Sequence, residues 1–194
     1  MKLRSIMVVA VSAMALSLGA CANDMKSDGM MRSDKTVMVG GAPMYPSKNI
    51  VENAVNSADH TTLVAAVKAA GLVDTLASPG PFTVFAPTNA AFDKLPAGTV
   101  ETLLKPENKA TLTKILTYHV VPGTMTAKVL MAKTMDMGGM YKMTTVSGNM
   151  ITAEMKDGNL YIVDDKGQWS KITISDVMQS NGIIHVVDTV LLPN

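Results

Sequence analysis

Apolar residues in the first half of the chain recur every three or four positions, the spacing of one face of an α-helix. Between residues 50 and 55, isoleucine, valine and alanine side chains share such a face. A second helix is predicted to follow, with Asp59 as its cap and Gly71 at its end. Further helical segments are predicted at 73–76, 89–92, 100–104 and 106–116.

In the second half the apolar spacing changes to every other residue, which is typical of half-buried strands. Turn residues at 147–149 and 156–159 predict two hairpins, and residues 171–174 alternate strictly. Residues 183–192 are apolar on both faces, so we expect this strand to lie inside a sheet. One earlier strand, 82–86, is embedded in the helical half. Helices followed by hairpins predict an α+β domain.

Three sequence motifs then narrow the choice of α+β folds. They are TVFAPTNAAFDKLP at 83–96, YHVVPG at 118–123 and NGIIHVVDTVLLP at 181–193. In this order and at this spacing the chain resembles the fasciclin domain family. The resemblance implies a wedge of two short β-sheets with helices packed along one side. It covers residues 45–194, which we take as the folded domain.

The resemblance also suggests a role for the second motif, since Tyr118 and His119 correspond to residues proposed as an adhesion determinant in the family. The competing interpretation is structural, with His119 buried and hydrogen-bonded at a helix-to-strand junction. We expect the same structural role for His185, on its apolar strand, and we expect His60 to face solvent.

Other polar residues in the motifs also favour structural roles. Thr88 and Asn89 should bond local backbone at a helix start. Asp188 should accept hydrogen bonds from backbone donors.

The N-terminus predicts export. A basic start is followed by a charge-free apolar run and a small-residue site, which predicts a signal peptide over residues 1–20. Leu18 to Cys21 resembles a bacterial lipobox, so Cys21 is the predicted site of lipidation and of a membrane anchor. Cleavage after Ala22 is the alternative. Residues 21–44 are predicted to form a flexible, methionine-containing tether, with the apolar segment from residue 37 docking against the domain.

Composition excludes several classes of protein. With one cysteine the chain forms no internal disulfide, so the domain depends on its core. Removing the signal peptide takes two of the 17 basic residues and none of the 16 acidic ones, leaving 15 against 16. This balance argues against a nucleic-acid partner. No nucleophile elbow, zinc-protease motif or phosphate loop is present, so we expect no enzyme activity and no cofactor.

Methionine is the unusual feature of the composition. Of 17 methionines, nine lie between Met125 and Met178. A dense cluster is formed by Met135, Met137, Met140 and Met143 around two glycines that suggest a flexible loop. Thioethers prefer Cu(I), so copper binding in the 125–155 region is one interpretation. The others are gap filling or an adaptable surface, and a sink for oxidants.

These features together predict a non-enzymatic adhesion or protein-interaction module, exported and lipid-anchored. It would face the periplasm or the cell surface, with the outer membrane or secretion as alternatives. Its expected partners are cell-surface or matrix proteins or polysaccharides. The alternative function is that of a periplasmic Cu(I)-binding or metal-handling protein. The oligomeric state is left open.

Overall fold

The structure of the protein is a computed structural model, and it describes residues 36–194. The helices are α1 (Ile50–Ala54), α2 (Thr61–Ala70), α3 (Val73–Ala77), α4 (Asn89–Asp93), α5 (Thr99–Leu103), α6 (Lys109–Tyr118) and α7 (Ala127–Asp136). The strands are β1 (Val37–Val39), β2 (Ala42–Met44), β3 (Phe82–Pro87), β4 (Val120–Pro122), β5 (Met140–Thr144), β6 (Met150–Lys156), β7 (Asn159–Val163), β8 (Trp169–Gln179) and β9 (Gly182–Val187). Within this range no helix has the length and apolar character that a membrane span requires.

Seven strands form one continuous ladder in the order β4-β3-β9-β8-β7-β6-β5. Within this ladder only the β3–β9 pair is parallel, and the other pairs are antiparallel. β8 is irregular between Ile172 and Val177, and it is shared by the two halves of the ladder. Just beyond β5, the Val146 N–H donates to the Val120 carbonyl of β4 at 2.8 Å, so the two ends of the ladder meet. The result is a wedge that is nearly a closed barrel.

The strands β3 and β9 are apolar on both faces, and each face has its own core. Val84 of β3 and Ile184 of β9 contribute to the first, which we call the helix-side core because α1, α2, α3 and α6 cover it. Phe85 of β3 and Val187 of β9 contribute to the second, which we call the α7-side core. Since a strand alternates its side chains, only a central strand covered on both sides tolerates such a sequence.

The α+β fold predicted from the sequence is confirmed, with helices leading and hairpins following. The hairpin β1–β2 places Val39 and Met44 in the helix-side core, so the predicted docking of this segment is confirmed. The packed part of the chain therefore begins inside the segment assigned to the tether. The predicted signal peptide, Cys21 and the rest of the tether lie outside the described residues.

Three local predictions were wrong. Helix α7 was not predicted, and the loop expected around the methionine cluster is instead a helix end, a tight turn and a strand start. Asp59 does not cap α2, because residues 58–60 form a 3-10 turn. β9 ends at Val187 rather than Leu192, and the residues after it are held by side chains.

Gly182 allows the parallel strands β3 and β9 to approach each other closely. A Cβ added there would overlap the carbonyl oxygen of Phe82, which is its partner in register. We expect Gly182→Ala to lower the free energy of unfolding by about 3 kcal/mol, because the backbone of β3 must move.

The matched control is Gly98→Ala, at φ +81° with nothing within 4 Å of its added Cβ. Only the left-handed backbone is penalised there, at about 1 kcal/mol. Urea denaturation measures both variants, and equal losses would contradict the close-packing account of Gly182.

Candidate functional site

Tyr118, the last residue of α6, is completely buried beneath the β6 and β7 hairpins. Its hydroxyl donates to the Met150 carbonyl at 2.9 Å and accepts from the Asp165 N–H at 2.9 Å. Burial raises the pKa of Tyr118 to about 12, so the phenol stays protonated and can donate. The side chain thus joins α6 to the start of β6 and to the turn that precedes β8.

His119 follows at the junction between α6 and β4, and its ring is also buried. Nδ1–H donates to the Ile115 carbonyl at 2.8 Å, and Nε2 accepts from the Leu191 N–H at 2.9 Å. These two partners select one neutral tautomer. Burial lowers the pKa of His119 to about 4, so the ring is neutral near pH 7.

Asp164 completes this arrangement from the turn between β7 and β8. One carboxylate oxygen accepts from the Lys166 and Gln168 N–H groups, both at 2.9 Å. The other accepts from the Leu192 N–H at 3.0 Å. We call these side chains the Tyr118–His119–Asp164 network. It attaches the C-terminal segment and the β7–β8 turn to the end of α6.

The geometry limits what this network does. Both nitrogens of His119 are bonded to backbone groups, and neither ring of the motif reaches the surface. The predicted burial and hydrogen bonding of His119 at the helix-to-strand junction are therefore confirmed. A role of Tyr118 and His119 in adhesion stays a prediction, and any such role must operate through the segments that they position.

The start of β6, which Tyr118 holds in place, is part of an exposed surface that we call the outer sheet face. It is formed by the outward side chains of β5 to β8: Met140, Lys142, Met150, Glu154, Lys156, Tyr161, Trp169 and Lys171. Trp169 is 39% exposed, and its ring meets Tyr161 edge to face at 5.4 Å. The Lys156 ammonium lies 5.0 Å from the Trp169 ring centre.

Sequence reasoning missed this surface, although a signal was present. Trp169 and Lys171 alternate with buried Ser170 along a strand, which places an aromatic and a cation on the same outward side. Asp164 was also missed as an organising residue. Its position before Asp165, Lys166 and Gly167 is typical of a turn in which an aspartate bonds the following backbone.

The methionine cluster is only partly brought together. Met135, Met137 and Met140 are exposed around the turn between α7 and β5. Met143 is only 4% exposed and packs in the α7-side core. Within residues 36–194, no group of three histidine, cysteine or acidic residues is arranged to hold a metal ion. Soft thioethers are thus the candidate copper ligands in this region.

The remaining histidines differ from each other. His185 is buried as predicted, stacks on Phe85 at 5.7 Å, and its Nε2 donates to the Met125 carbonyl at 2.7 Å. His60 was predicted to face solvent, and this was wrong because it is 3% exposed. The 3-10 turn before α2 directs its ring inward, where Ser57 Oγ lies 2.9 Å from Nδ1.

The polar residues of the first and third motifs have structural roles, as expected. Thr88 accepts from the Ala91 N–H at the start of α4. Asn89 was predicted to bond local backbone, and this was wrong: its side-chain oxygen accepts from the Thr62 N–H and caps α2. Asp188 accepts from the Lys171 N–H at 2.9 Å.

This fold, with its buried tyrosine–histidine motif, defines a fasciclin-type domain. The family described as Fasciclin domain matches residues 58–193, and the chain belongs to this family. The chain is 46% identical over 166 residues to protein sll1483 of Synechocystis, covering 84% of each.

Two further matches add context. Cell surface glycolipoprotein MPB83 of Mycobacterium bovis is 39% identical over 122 residues, covering 63% of this chain and 48% of that protein. A solved FAS1 domain pair from the insect cell adhesion molecule Fasciclin I superposes with a TM-score of 0.67 at 22% identity. That match covers 76% of this chain and about half of the pair (52%), and it shows the fold.

The pKa of His119 predicts a pH-dependent stability. The unfolded chain binds a proton on this histidine near pH 6.5, whereas the folded ring does so only near pH 4. The free energy of unfolding therefore falls as pH drops through this interval, and His119 should account for about 2 kcal/mol between pH 7 and 4.5.

His119→Gln should remove the contribution of His119 to the loss of unfolding free energy at low pH. His60 and His185, whose pKa values burial also lowers, should still contribute to that loss. Urea denaturation of the wild type and the variant at the two pH values measures the change in the free energy of unfolding. An unchanged pH dependence in the variant would contradict the buried neutral ring.

Tyr118→Phe deletes one hydroxyl and leaves the Met150 carbonyl and the Asp165 N–H without their partner. We expect a loss of about 1–3 kcal/mol in the free energy of unfolding, together with faster hydrogen exchange at the Asp165 amide. Tyr45→Phe, on an exposed tyrosine, is the control and should change stability by less than about 0.5 kcal/mol. Similar behaviour of the two variants would disprove the bridging role.

Proposed function

We propose that the protein is a non-enzymatic adhesion module, exported and lipid-anchored, that binds a cell-surface or matrix partner through the outer sheet face. The observation that carries the proposal is the exposed Trp169, which packs on half-buried Tyr161 and lies beside Lys156. Interfaces concentrate their binding energy in aromatic residues, and methionine is enriched there as well.

The composition of the face indicates the chemistry of its partner. Met140 and Met150 add adaptable apolar area to the aromatic pair. Lys142, Lys156 and Lys171 outnumber the single Glu154 on this face. An aromatic platform ringed by cations suits a partner that is acidic, either a protein or a polysaccharide.

The Tyr118–His119–Asp164 network supports the same proposal. Tyr118 bonds the backbone of Met150, which is itself on the outer sheet face, and Asp164 organises the turn that leads into Trp169. A buried motif can then affect adhesion because it holds two parts of the contact surface in place.

Export and anchoring rest on the N-terminal sequence. Cys21 ends a lipobox-like motif after a charge-free apolar run. The name of the related MPB83 describes a cell-surface glycolipoprotein, which agrees with a lipid anchor for this chain. Mass spectrometry of the native mature N-terminus tests the anchor directly, because an acylated Cys21 and a chain beginning after Ala22 differ in mass.

Trp169→Ala tests the surface. Adhesion of cells carrying the protein to immobilised matrix protein or acidic polysaccharide should fall at least about tenfold, because the most exposed aromatic of the face is removed. Val55→Ala, which truncates an exposed apolar residue next to α1, should leave adhesion unchanged. Unfolding midpoints confirm that both variants fold.

Trp169 is also the only tryptophan, so its fluorescence reports on this face during titration with the soluble partner. If a folded Trp169→Ala variant adheres as well as the wild type, the outer sheet face is not the contact surface.

A second candidate function is Cu(I) binding. It is favoured by the three exposed thioethers of Met135, Met137 and Met140 on one turn. Cu(I) titration under reducing conditions should show sub-micromolar binding that is lost when these three become leucine. Met178→Leu, at an exposed methionine on β8, is the matched control. Equal binding by the triple variant would exclude these ligands.

A further inference from the structure

The helix-side core contains a cavity that its close-packed surroundings do not fill. It lies between α1, α2 and α3 on one side and the strands β3 and β9 on the other, and its wall is almost entirely apolar. Its volume is ≈ 60 Å³. An apolar cavity of about 150 Å³ holds a molecule the size of benzene, so this cavity suits a ligand of only a few non-hydrogen atoms.

One polar residue that lines this cavity, His60, has a ring nitrogen without a partner. His60 is buried, and its Nδ1 bonds Ser57 Oγ, but Nε2 makes no hydrogen bond. The Ala86 carbonyl favours the charged ring, yet it forms no hydrogen bond of acceptable geometry with Nε2. A buried polar atom without a partner is costly and uncommon in folded proteins.

The cavity has a route to the surface. Val51, Val64 and Val73, from three different helices, line it and are half-buried. Lys68 on α2 also lines it and is exposed. The opening therefore lies between short helices, whose separation needs no break in the sheet.

Water is a poor occupant of this space. A buried water normally makes about three hydrogen bonds. Beyond the exposed Lys68, the polar side chains on the wall are His60 and His119, and both nitrogens of His119 are already bonded. A single free nitrogen in an apolar cavity matches a mostly apolar molecule with one polar group.

We propose that this cavity binds a small aliphatic alcohol, with its chain among the valines and leucines and its hydroxyl on His60 Nε2. A hydroxyl both donates and accepts, so it satisfies Nε2 whichever way the Ser57 hydrogen bond sets the tautomer. This site is separate from the outer sheet face and does not depend on the proposed adhesion function.

The charge state of the ring supports a neutral ligand. Burial lowers the pKa of His60, so the imidazole is neutral near pH 7. Lys68, the cation on the cavity wall, is exposed, so a carboxylate at the depth of His60 would be a buried anion, which is strongly unfavourable. The alcohol is therefore favoured over a fatty acid of the same length.

The probes are 1-propanol and propane, titrated into the full chain while methyl resonances are followed by NMR. Saturable shifts should occur at the cavity residues Val67 and Ile184, and Ile151 and Ile162 of the α7-side core should not move. His60→Leu should weaken propanol binding about tenfold and propane binding less than about twofold, since only the alcohol loses a hydrogen bond.

Two alanine variants separate occupancy of the cavity from folding. Ala54→Leu fills the cavity wall and should weaken both probes more than tenfold, whereas Ala65→Leu, on the exposed side of α2, should change neither. Absence of saturable shifts at Val67 and Ile184 would overturn the proposal. Equal losses of propanol and propane binding in folded His60→Leu, or unchanged binding in Ala54→Leu, would overturn it as well.

Discussion

The parallel pairing of β3 with β9 constrains the rest of the structure. Both strands carry large apolar side chains on both faces, so each face must be removed from water. One face is covered by α1, α2, α3 and α6, and the other by α7 and the hairpins of β5 to β7. Two cores in one small domain follow directly from this pair. Burial of this kind also allows the domain to fold without a disulfide.

The same constraint explains where the buried polar residues lie. His185 sits on β9, and His119 immediately precedes β4, which pairs with β3. Both rings are closed off by the two cores and must find backbone partners, which they do in Met125, Ile115 and Leu191. His60 is different because it faces a cavity rather than a packed wall. Of the three rings, it alone has a nitrogen without a partner.

Sequence patterns predicted the elements whose apolar residues face a single core. The helices around residues 50–70 and the hairpins after residue 144 follow their periods closely. Helix α7 was not predicted because its apolar residues do not share one buried face: Thr134 is buried while Val129 and Met135 are exposed. Thr134 is accommodated inside because its hydroxyl donates to the Leu130 carbonyl at 2.7 Å.

The positions and partners of several site residues depend on tertiary contacts, so the spacing of residues along the sequence could not predict them. His60 was assigned to the surface because a polar residue at a helix start usually faces water, and a single 3-10 turn reversed this. Asn89 caps a helix 27 residues earlier in the chain, which no local signal reveals. Buried Tyr118 and His119 were recognised as a motif, but their partners at Met150, Asp165 and Leu191 became evident only from the fold.

Native-state hydrogen exchange tests the central claim most directly, because it measures the opening free energy of each backbone amide. If the β3–β9 pair organises both cores, its amides should exchange only by global unfolding, with the highest opening free energies in the domain. Amides of β1, β2 and β5 should open at lower free energies. Exchange of the β3 and β9 amides by local opening, while β6 and β7 stay protected, would contradict the account.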